Sequence, residues 1–160
     1  MKTIGIFGSQ GFAREVADIA IELGYKPIFI LRNKADSDNC GLLDYILEDD
    51  IFRVKCDAYA MGVGDNTVRM KLAKQYSDKL FFPNLIHSSA TFGAFSNIAI
   101  DNCSGVIICA GVRMTNNIKL GNFNILNLNV TVGHDCILHD YINVAPGVNV
   151  SGNVEIFDAS

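Results

Sequence analysis

The 160-residue sequence has no run of 18 apolar residues, although 49% of its residues are hydrophobic. A helix that crosses a bilayer needs about 20 consecutive apolar residues, so we expect no membrane span. The first residues also lack the long apolar core of a secretory signal peptide, because the apolar run at residues 3–7 ends at a glycine turn. These absences favour a cytoplasmic protein.

Cysteine is present but without the spacing of a metal or redox motif. The five cysteines are an odd number and include no Cys-x-x-Cys. We therefore expect reduced thiols, several of them in the core. Positive charge is in the minority, with 13 Lys and Arg against 17 Asp and Glu, which argues against nucleic acid or a membrane surface as partner.

The second half of the chain carries an aliphatic residue or Met at every sixth position. A helix gives apolar spacings of three and four, and a strand gives a spacing of two, whereas a period of six is typical of a parallel β-helix. Three hexads would close one coil, with the sixth-position side chain inside. Ordinary strands with a coincidental period are the alternative. The nine positions are Ile108, Met114, Leu120, Leu126, Val132, Leu138, Val144, Val150 and Ile156.

Shorter hexad-like pieces precede this repeat at Ile86, Phe92 and Ile98. The interval from Ile98 to Ile108 is one hexad and four further positions, so we expect an inserted loop in the first coil. Few charges lie between residues 106 and 154, and such a surface favours burial against copies of itself in a closed oligomer.

The first half has the pattern of an α/β domain. An apolar run at residues 3–7, a glycine turn, apolar residues at helical spacing and a second run at residues 26–31 predict strand, helix and strand. Pro83 and the polar segment after it predict a boundary between an α/β domain at 1–83 and a β-helix at 84–160. The other predicted elements are a short helix or loop at 42–51, a strand at 57–63, a helix capped by Asp65 and running through Gln75, and an edge strand at 80–82.

The glycine turn favours a phosphate-bearing ligand. In a doubly wound sheet, ligands bind at the carboxyl ends of the strands, with phosphate at a helix N-terminus. Gln10 fills a position that is often glycine in a dinucleotide fingerprint. Arg32 and Lys34 follow the second strand where an NAD site has a carboxylate. Solvated surface charge is the other interpretation of this basic pair.

His134 and Asp135 are the strongest candidates for chemistry. They follow the inward Val132 by two and three positions, so they face outward at a corner. Because one coil is three hexads, Asn116, His134 and Gly152 fall in one column. Such a His can accept a proton near pH 7, and the Gly152 N–H could bind a developing oxyanion. A corner His that is satisfied by a neighbouring carbonyl is the alternative.

A metal site is the other chemistry to weigh here. His134, Cys136 and His139 are close in sequence, but Cys136 falls at an inward position and both His at outward ones. Ligands that point apart cannot share a zinc ion, so we expect no metal. His87, in the linker, is expected to be structural.

Six short motifs follow one another along the chain. They are Gly-x-x-Gly-Phe-Ala-Arg-Glu-Val at 8–16, Gly-Val-Gly-Asp-Asn at 62–66, Phe-Pro-Asn-Leu-Ile-His at 82–87, Val-Gly-His-Asp-Cys at 132–136, Val-Ala-Pro-Gly-Val at 144–148 and Ser-Gly-Asn-Val at 151–154. In this order they resemble the sialic acid O-acetyltransferase and bacillosamine N-acetyltransferase family of bacterial sugar acyltransferases. The resemblance covers the whole chain and is most specific in the second half.

The resemblance implies a homotrimer of left-handed β-helices that binds acetyl-CoA between subunits, behind a Rossmann-like domain that holds a nucleotide-sugar. It implies His134 as general base with Asp135 beside it, and Asn127 in the active-site cleft. Gly152 would contact the thioester carbonyl, and Asn143 stands where some relatives have a His near acetyl-CoA. The residues expected around the nucleotide-sugar are Gly8, Ser9, Gln10, Gly11, Asn33, Lys34, Gly62 and Gly64.

The implied reaction is acetyl transfer from acetyl-CoA to the 4-amino group of a UDP-linked amino-sugar in surface glycan biosynthesis, without a covalent enzyme intermediate. Acetylation of a sugar hydroxyl, as on sialic acid, is the alternative within this class.

The chain stops at Ser160 in mid-hexad, whereas relatives continue for several coils, and a solenoid needs capped ends. We therefore expect an incomplete β-helix. A non-catalytic nucleotide-sugar-binding protein is the alternative from another class.

Overall fold

The computed structural model describes residues 1–41, 43–94 and 102–160. Among these residues, the N-terminal domain forms four strands and two helices, with 3-10 turns at Lys34–Cys40 and Glu48–Asp50. Its elements are β1 (Lys2–Phe7), α1 (Gly11–Glu22), β2 (Tyr25–Leu31), β3 (Tyr45–Leu47), β4 (Ala58–Met61) and α2 (Asn66–Tyr76). Within the described ranges, no helix has the length and apolar character that crossing a membrane requires.

The four strands form one parallel sheet in the order β3, β2, β1, β4. Phe7, the last residue of β1, pairs with Ile30 on one side and with Met61 on the other. The carboxyl ends of three strands therefore meet at one edge. Gly8 follows β1 and Gly62 follows β4, so the sheet brings both glycine turns to this edge.

The predicted N-cap of the second helix is confirmed. The Asp65 carboxylate accepts a hydrogen bond from the Val68 N–H at 2.9 Å and caps α2. Gly24 follows the end of α1 with a φ of +83°, a conformation that glycine adopts without steric cost.

Two predictions for the first domain are wrong. The segment 42–51 is more than a short helix or loop, because it includes β3, which pairs with β2 and extends the sheet; Leu42 lies outside the described residues. Residues 80–82 do not form an edge strand. The Phe81 carbonyl accepts one ladder bond from the Tyr59 N–H, and the next carbonyl, of Phe82, turns to the β-helix and accepts from the Gly105 N–H at 3.1 Å.

The second half consists of two-residue strands, each of which stacks on the third strand before it. Ile125 pairs with Ile107 below and with Asn143 above. The stacks form three parallel sheets: β5–β7–β10–β13, β6–β8–β11–β14 and β9–β12–β15. The strands are β5 (Leu85–Ile86), β6 (Thr91–Phe92), β7 (Ile107–Ile108), β8 (Arg113–Met114), β9 (Lys119–Leu120), β10 (Ile125–Leu126), β11 (Thr131–Val132), β12 (Ile137–Leu138), β13 (Asn143–Val144), β14 (Asn149–Val150) and β15 (Glu155–Ile156).

The predicted sixth-position residues are the second residues of β7 to β15. Those from Ile108 to Val144 are buried, and Val150 and Ile156 are partly buried against the same core. The corners also repeat with the hexad: from Asn117 to Ala159, each corner residue has a φ between +53° and +72°. Left-handed residues turn the chain sharply, which is how a two-residue strand can be followed by another on the next face.

The first coil contains the predicted insertion. Ile86 pairs with Ile108, and Phe92 pairs with Met114, so each pair spans three hexads and four further positions. The regular coils that follow span three hexads alone, as in the pairing of Leu126 with Ile108. Ile98 lies outside the described residues.

One face of the β-helix packs on the N-terminal domain. Ile107, Cys109 and Ile125 belong to the same buried cluster as Val16 and Ile19 of α1. The apolar outer residues of this face are thus covered by the same chain, so this part of the prism surface does not need a partner copy. The boundary after residue 83 stays a prediction.

His87 and the residue after it contact α1 of the N-terminal domain, which agrees with the structural role expected for His87. Its Nε2 lies 2.8 Å from Glu22 Oε2, and the neighbouring Ser88 N–H donates to Glu22 Oε1 at 2.9 Å. All five cysteines are free, and Cys40, Cys109 and Cys136 are buried.

Candidate active site

His134 stands at the corner after β11, with 62% of its side chain exposed. Its Nδ1 lies 2.7 Å from Asp135 Oδ2, and the other carboxylate oxygen, Asp135 Oδ1, accepts from Asn117 Nδ2 at 2.5 Å. The hydrogen bond from Asn117, followed by that from His134, holds the pKa of Asp135 below its usual value. Because an ionised carboxylate can only accept, Nδ1 carries the imidazole proton and Nε2 is left as the proton acceptor.

The column of Asn116, His134 and Gly152 is confirmed. The Asp135 N–H donates to the Asn116 carbonyl at 3.1 Å, and the Asn153 N–H donates to the His134 carbonyl at 2.8 Å. A Cβ on Gly152 would lie 2.7 Å from His134 Nε2 and 2.8 Å from Cε1. Glycine at 152 therefore leaves room for the imidazole edge that can accept a proton.

The three side chains weighed as metal ligands point apart. Cys136 is fully buried, and its thiol donates to the Ser151 carbonyl at 3.1 Å. His139 Nε2 lies 2.8 Å from Glu155 Oε1, and its ring stacks on Phe157 with centroids 5.3 Å apart. Among the described residues, no group of three His, Cys, Asp or Glu side chains could hold a metal ion.

A second cleft lies at the carboxyl edge of the N-terminal sheet. One volume of about 220 Å³ lies between β2 and α2 and is lined by Gly8, Ser9 and Gln10. The same three residues line an adjoining volume together with the loop Gly62–Gly64. Gly8 has a φ of +97°, and a Cβ there would lie 3.2 Å from the Gly62 carbonyl. The two glycine turns thus form one wall, at the N-terminus of α1, where a phosphate group would be favoured.

Three residues predicted for this cleft are not among the described residues that line the two volumes. Gly11 begins α1, and a Cβ there would meet no atom within 4 Å, so a side chain at this position would not fill the turn. Asn33 and Lys34 are exposed and stand outside the linings that the described residues give to both volumes. Arg32 lines the volume between β2 and α2 instead, with Nε 3.9 Å from Glu48 Oε2.

Two acidic residues in the same lining were missed. Asp36 and Glu48 come from the 3-10 turns on either side of β3. Glu48 Oε1 accepts from the Tyr76 hydroxyl at 2.8 Å, and burial, followed by this bond, raises the pKa of Tyr76 to about 12. Carboxylates accept from ribose hydroxyls and base N–H groups, whereas the sequence indicated only basic residues here. No periodic pattern marks such turns, which is why sequence reasoning did not find them.

Asn127 and Asn143 are placed away from the His134 corner. Asn127 follows β10, one corner earlier, and its Oδ1 accepts from the Leu128 N–H at 2.8 Å. Asn143 Nδ2 donates to the Gly64 carbonyl at 2.9 Å, so this side chain faces the glycine loop of the N-terminal domain. Within one chain, the two asparagines therefore belong to other surfaces than the imidazole.

Comparison with known proteins matches parts of the chain to one family and to one curated protein. Residues 3–76 match the family described as the PglD N-terminal domain. A segment of 55 residues is 40% identical to a GDP-perosamine N-acetyltransferase of Escherichia coli, covering 34% of this chain and 25% of that protein. The match thus spans about a quarter of the curated relative's length.

Solved structures match over nearly the whole chain. The acetyltransferase domain of PglB from Neisseria gonorrhoeae, in complex with acetyl coenzyme A, has a TM-score of 0.84 at 24% identity, covering 97% of this chain and 76% of that one. PerB from Caulobacter crescentus, in complex with CoA and GDP-perosamine, has a TM-score of 0.82 at 23% identity, covering 97% and 74%. The predicted fold, an α/β domain followed by a left-handed parallel β-helix, is confirmed. The resemblance of the motifs to bacterial sugar acyltransferases is supported by the matches of residues 3–76 and of the 55-residue segment.

Proposed function

We propose that the protein transfers an acetyl group from acetyl-CoA to the amino group of a nucleotide-linked amino-sugar. The observation that carries this proposal is the pair formed by His134 Nδ1 and Asp135 Oδ2 at 2.7 Å, with Gly152 over the other imidazole edge. The pair leaves Nε2 free to accept the proton of an attacking amine. The names of the relatives support the same chemistry: one is a GDP-perosamine N-acetyltransferase, and PglB was solved with acetyl coenzyme A.

The reaction is direct transfer. The sugar amine attacks the thioester carbonyl, a C–N bond forms, and His134 Nε2 takes the amine proton. The tetrahedral oxyanion is stabilised by the N–H of Gly152. As the C–S bond breaks, the imidazolium returns the proton to the sulfur of CoA. Asp135 stabilises the charged imidazole, and Cys136 takes no part because it is buried.

The nucleotide occupies the cleft at Gly8, Ser9 and Gln10, with its phosphates at the N-terminus of α1. The sugar amine is the 4-amino group. The sequence resemblance implies UDP, whereas the Escherichia coli and Caulobacter relatives are named for GDP-perosamine. Parallel titrations with UDP and GDP decide between the two bases.

The test of turnover is to incubate the protein with acetyl-CoA and UDP- or GDP-linked amino-sugars and to weigh the sugar by mass spectrometry. Mass is preferred to thiol release because the protein has five free cysteines of its own. We expect a gain of one acetyl group that survives mild alkali, as an amide does and an ester does not. Nucleotide binding without any acetylated product would favour the non-catalytic alternative instead, and an alkali-labile product would mean O-acetylation.

The test of the cleft uses calorimetry on Gly8→Val with Gly11→Val as its control. A side chain at 8 needs a left-handed backbone and approaches the Gly62 carbonyl, whereas position 11 is open. Gly8→Val should weaken nucleotide binding at least about tenfold, and Gly11→Val should change it little. Tight NAD binding without binding of UDP or GDP would contradict the assignment.

A further inference from the structure

Arg69 of α2 has no exposed surface although it carries a charge. Burial, only partly offset by the charge of Asp65, lowers the pKa of Arg69 to about 10. A buried guanidinium is costly unless its donors are used, and here six hydrogen bonds use them. All six acceptors are neutral oxygens, so the cation is held by amide dipoles and not by an ion pair.

The six bonds divide between the two halves of the chain. Three go to the segment that leads into α2: Val63 O at 3.1 Å, Gly64 O at 2.9 Å and Asn66 Oδ1 at 2.7 Å. Three go to the β-helix, and a planar fork with several N–H donors suits acceptors on two sides. The β-helix acceptors are Phe123 O at 2.9 Å, Tyr141 O at 2.7 Å and Ile142 O at 3.2 Å.

Phe123 and Tyr141 are equivalent corner residues of successive coils. Both have the left-handed backbone, with φ of +53° and +61°, which is unusual for an aromatic residue. Their rings stack in parallel with centroids 5.8 Å apart. The next residue of this column, Ala159, accepts a hydrogen bond at its carbonyl from Asn66 Nδ2 at 3.0 Å. The first turn of α2 thus contacts a column of corner carbonyls across three coils.

The loop held in this way is a wall of the nucleotide cleft. Gly62, Val63 and Gly64 line the cleft together with Gly8 to Gln10. The Gly64 carbonyl receives a second hydrogen bond from Asn143 Nδ2 of the β-helix at 2.9 Å. Every movement of this loop relative to the solenoid would therefore break hydrogen bonds of a buried cation.

We propose that Arg69 is a positioning residue for acetyl transfer: it fixes the Gly62–Gly64 wall of the nucleotide cleft to the solenoid that carries His134. The proposal rests on the function proposed above. A positioning role explains why this site has a buried cation, with the desolvation cost of its charge, where an apolar side chain would also pack the two domains together. Acetyl transfer needs the sugar held to within a fraction of an ångström of the base, and a shift of about 1 Å can cost about 10²-fold in rate.

The experiment compares Arg69→Lys and Arg69→Met with Lys71→Met, which removes an exposed cation from the same helix. Lysine keeps the charge but cannot reach acceptors on both sides at once. We expect the KM of the nucleotide-sugar to rise about tenfold in Arg69→Lys, while the KM of acetyl-CoA changes less than about twofold. Amide hydrogen exchange in residues 62–68 should accelerate by a similar factor, and Lys71→Met should match the wild type.

Nucleotide affinity and hydrogen exchange test the role of Arg69 even if the protein shows no acetyl transfer. If the wild type shows no acetyl transfer, the proposed function fails, and the dissociation constant of UDP or GDP together with exchange in residues 62–68 still decides the role of Arg69. If Arg69→Met does not fold, Asn66→Ala is the milder variant. It removes the hydrogen bonds from Asn66 to the carbonyls of Ala159 and Ser160 and so weakens the same contact between α2 and the β-helix. Variants that lower only the unfolding temperature, with KM, nucleotide affinity and loop exchange unchanged, would overturn the proposal and leave Arg69 a purely structural residue.

Discussion

The Cα of Gly152 lies over the imidazole of His134, so closely that a Cβ there would be 2.7 Å from Nε2. The two residues are separated by one coil of three hexads, and the parallel ladder between β11 and β14 fixes them in register. The candidate base is therefore placed by a repeated, rigid element and not by a free loop. A site on such a scaffold is held more exactly in position than one on a flexible segment.

Gly152→Ala tests this contact. The added methyl group must displace the imidazole, because the ring is the part that can move, while the backbone at 152 is free of positive φ. We expect kcat to fall at least about tenfold while the free energy of unfolding stays within about 0.5 kcal/mol, as for most surface substitutions. Steady-state kinetics and urea unfolding measure the two effects, with Ser151→Ala as the neighbouring control. Wild-type turnover in Gly152→Ala would mean that the acetyl group is handled elsewhere.

His134→Ala tests the base itself. Loss of a general base typically costs about 10²- to 10⁴-fold in rate, so kcat should drop by at least about 10² with little change in the KM of the sugar. Asp135→Asn should do less harm, because its amide oxygen can still accept from Nδ1. The control is His139→Ala, since His139 is occupied by Glu155 and Phe157 on another corner. An inactive His139→Ala with an active His134→Ala would show that the base is misassigned.

The pH dependence follows from the lowered pKa of Asp135. A carboxyl whose pKa is depressed by folding stabilises the fold above its unfolded value of about 3.9, and this contribution is lost as the pH falls through the lower folded value. Asp135 therefore stays ionised between about pH 5 and 9, so protonation of this carboxylate does not change kcat/KM in that range. Asn117→Ala removes the main cause of the shift and should leave the profile above about pH 5 unchanged. A profile in that range that moves with Asn117→Ala would contradict an ionised Asp135.

The repeat of the second half could be predicted from sequence because it is encoded locally, as one inward residue in every hexad. The column at His134 follows from the same count. Only part of the N-terminal cleft could be predicted from sequence. Gly8 directly follows an apolar run that predicts a strand, whereas Glu48 comes from an irregular segment without a periodic pattern. The role of Arg69 depends on β-helix carbonyls that lie far along the chain, such as that of Phe123, and no local pattern reveals them.

Asn124 shows the same limit within the repeat. It stands four residues after Leu120, at a position that is apolar in the neighbouring hexads, and it is fully buried. Its Nδ2 donates to the carbonyls of Gly121 and His139, and its Oδ1 accepts from the Ile142 N–H at 2.7 Å. A polar side chain fits inside the solenoid because backbone groups of its own coil and the next one satisfy it, and the sequence does not show those groups.

Asn124→Val should therefore destabilise the protein although it adds an apolar residue to an apolar core. The substitution leaves the Ile142 N–H and the His139 carbonyl without their partner, at about 1–3 kcal/mol for each buried group. We expect the free energy of unfolding in urea to fall by about 2–6 kcal/mol. Ile118→Val, a change without polar groups at the equivalent position of the preceding hexad, should cost only about 1 kcal/mol. An Asn124→Val variant as stable as the wild type would mean that water replaces the amide.

The last prediction concerns assembly. The face formed by β5, β7, β10 and β13 packs on the N-terminal domain, and α2 contacts the corner at Phe123 and Tyr141, so two faces and the two other corners are left for contact with other copies. Leu128 and Val148 are exposed on adjacent coils at the corner between the covered face and the next one, and we call this pair the apolar strip. We expect a closed trimer of the 17.4 kDa chain that buries this strip, and light scattering at micromolar concentration should give three times that mass.

Leu128→Asp should shift the protein to a monomer, because a carboxylate in a symmetric contact is desolvated without a partner. Phe81→Asp is the matched control: it places the same charge on a residue that is 65% exposed in the N-terminal domain, far in sequence from the strip, and should leave the trimer intact. A wild-type mass near 17.4 kDa would count against the trimer. A trimer that survives Leu128→Asp but dissociates with Arg113→Asp or Lys119→Asp would instead place the contact on the flat faces of β8 or β9.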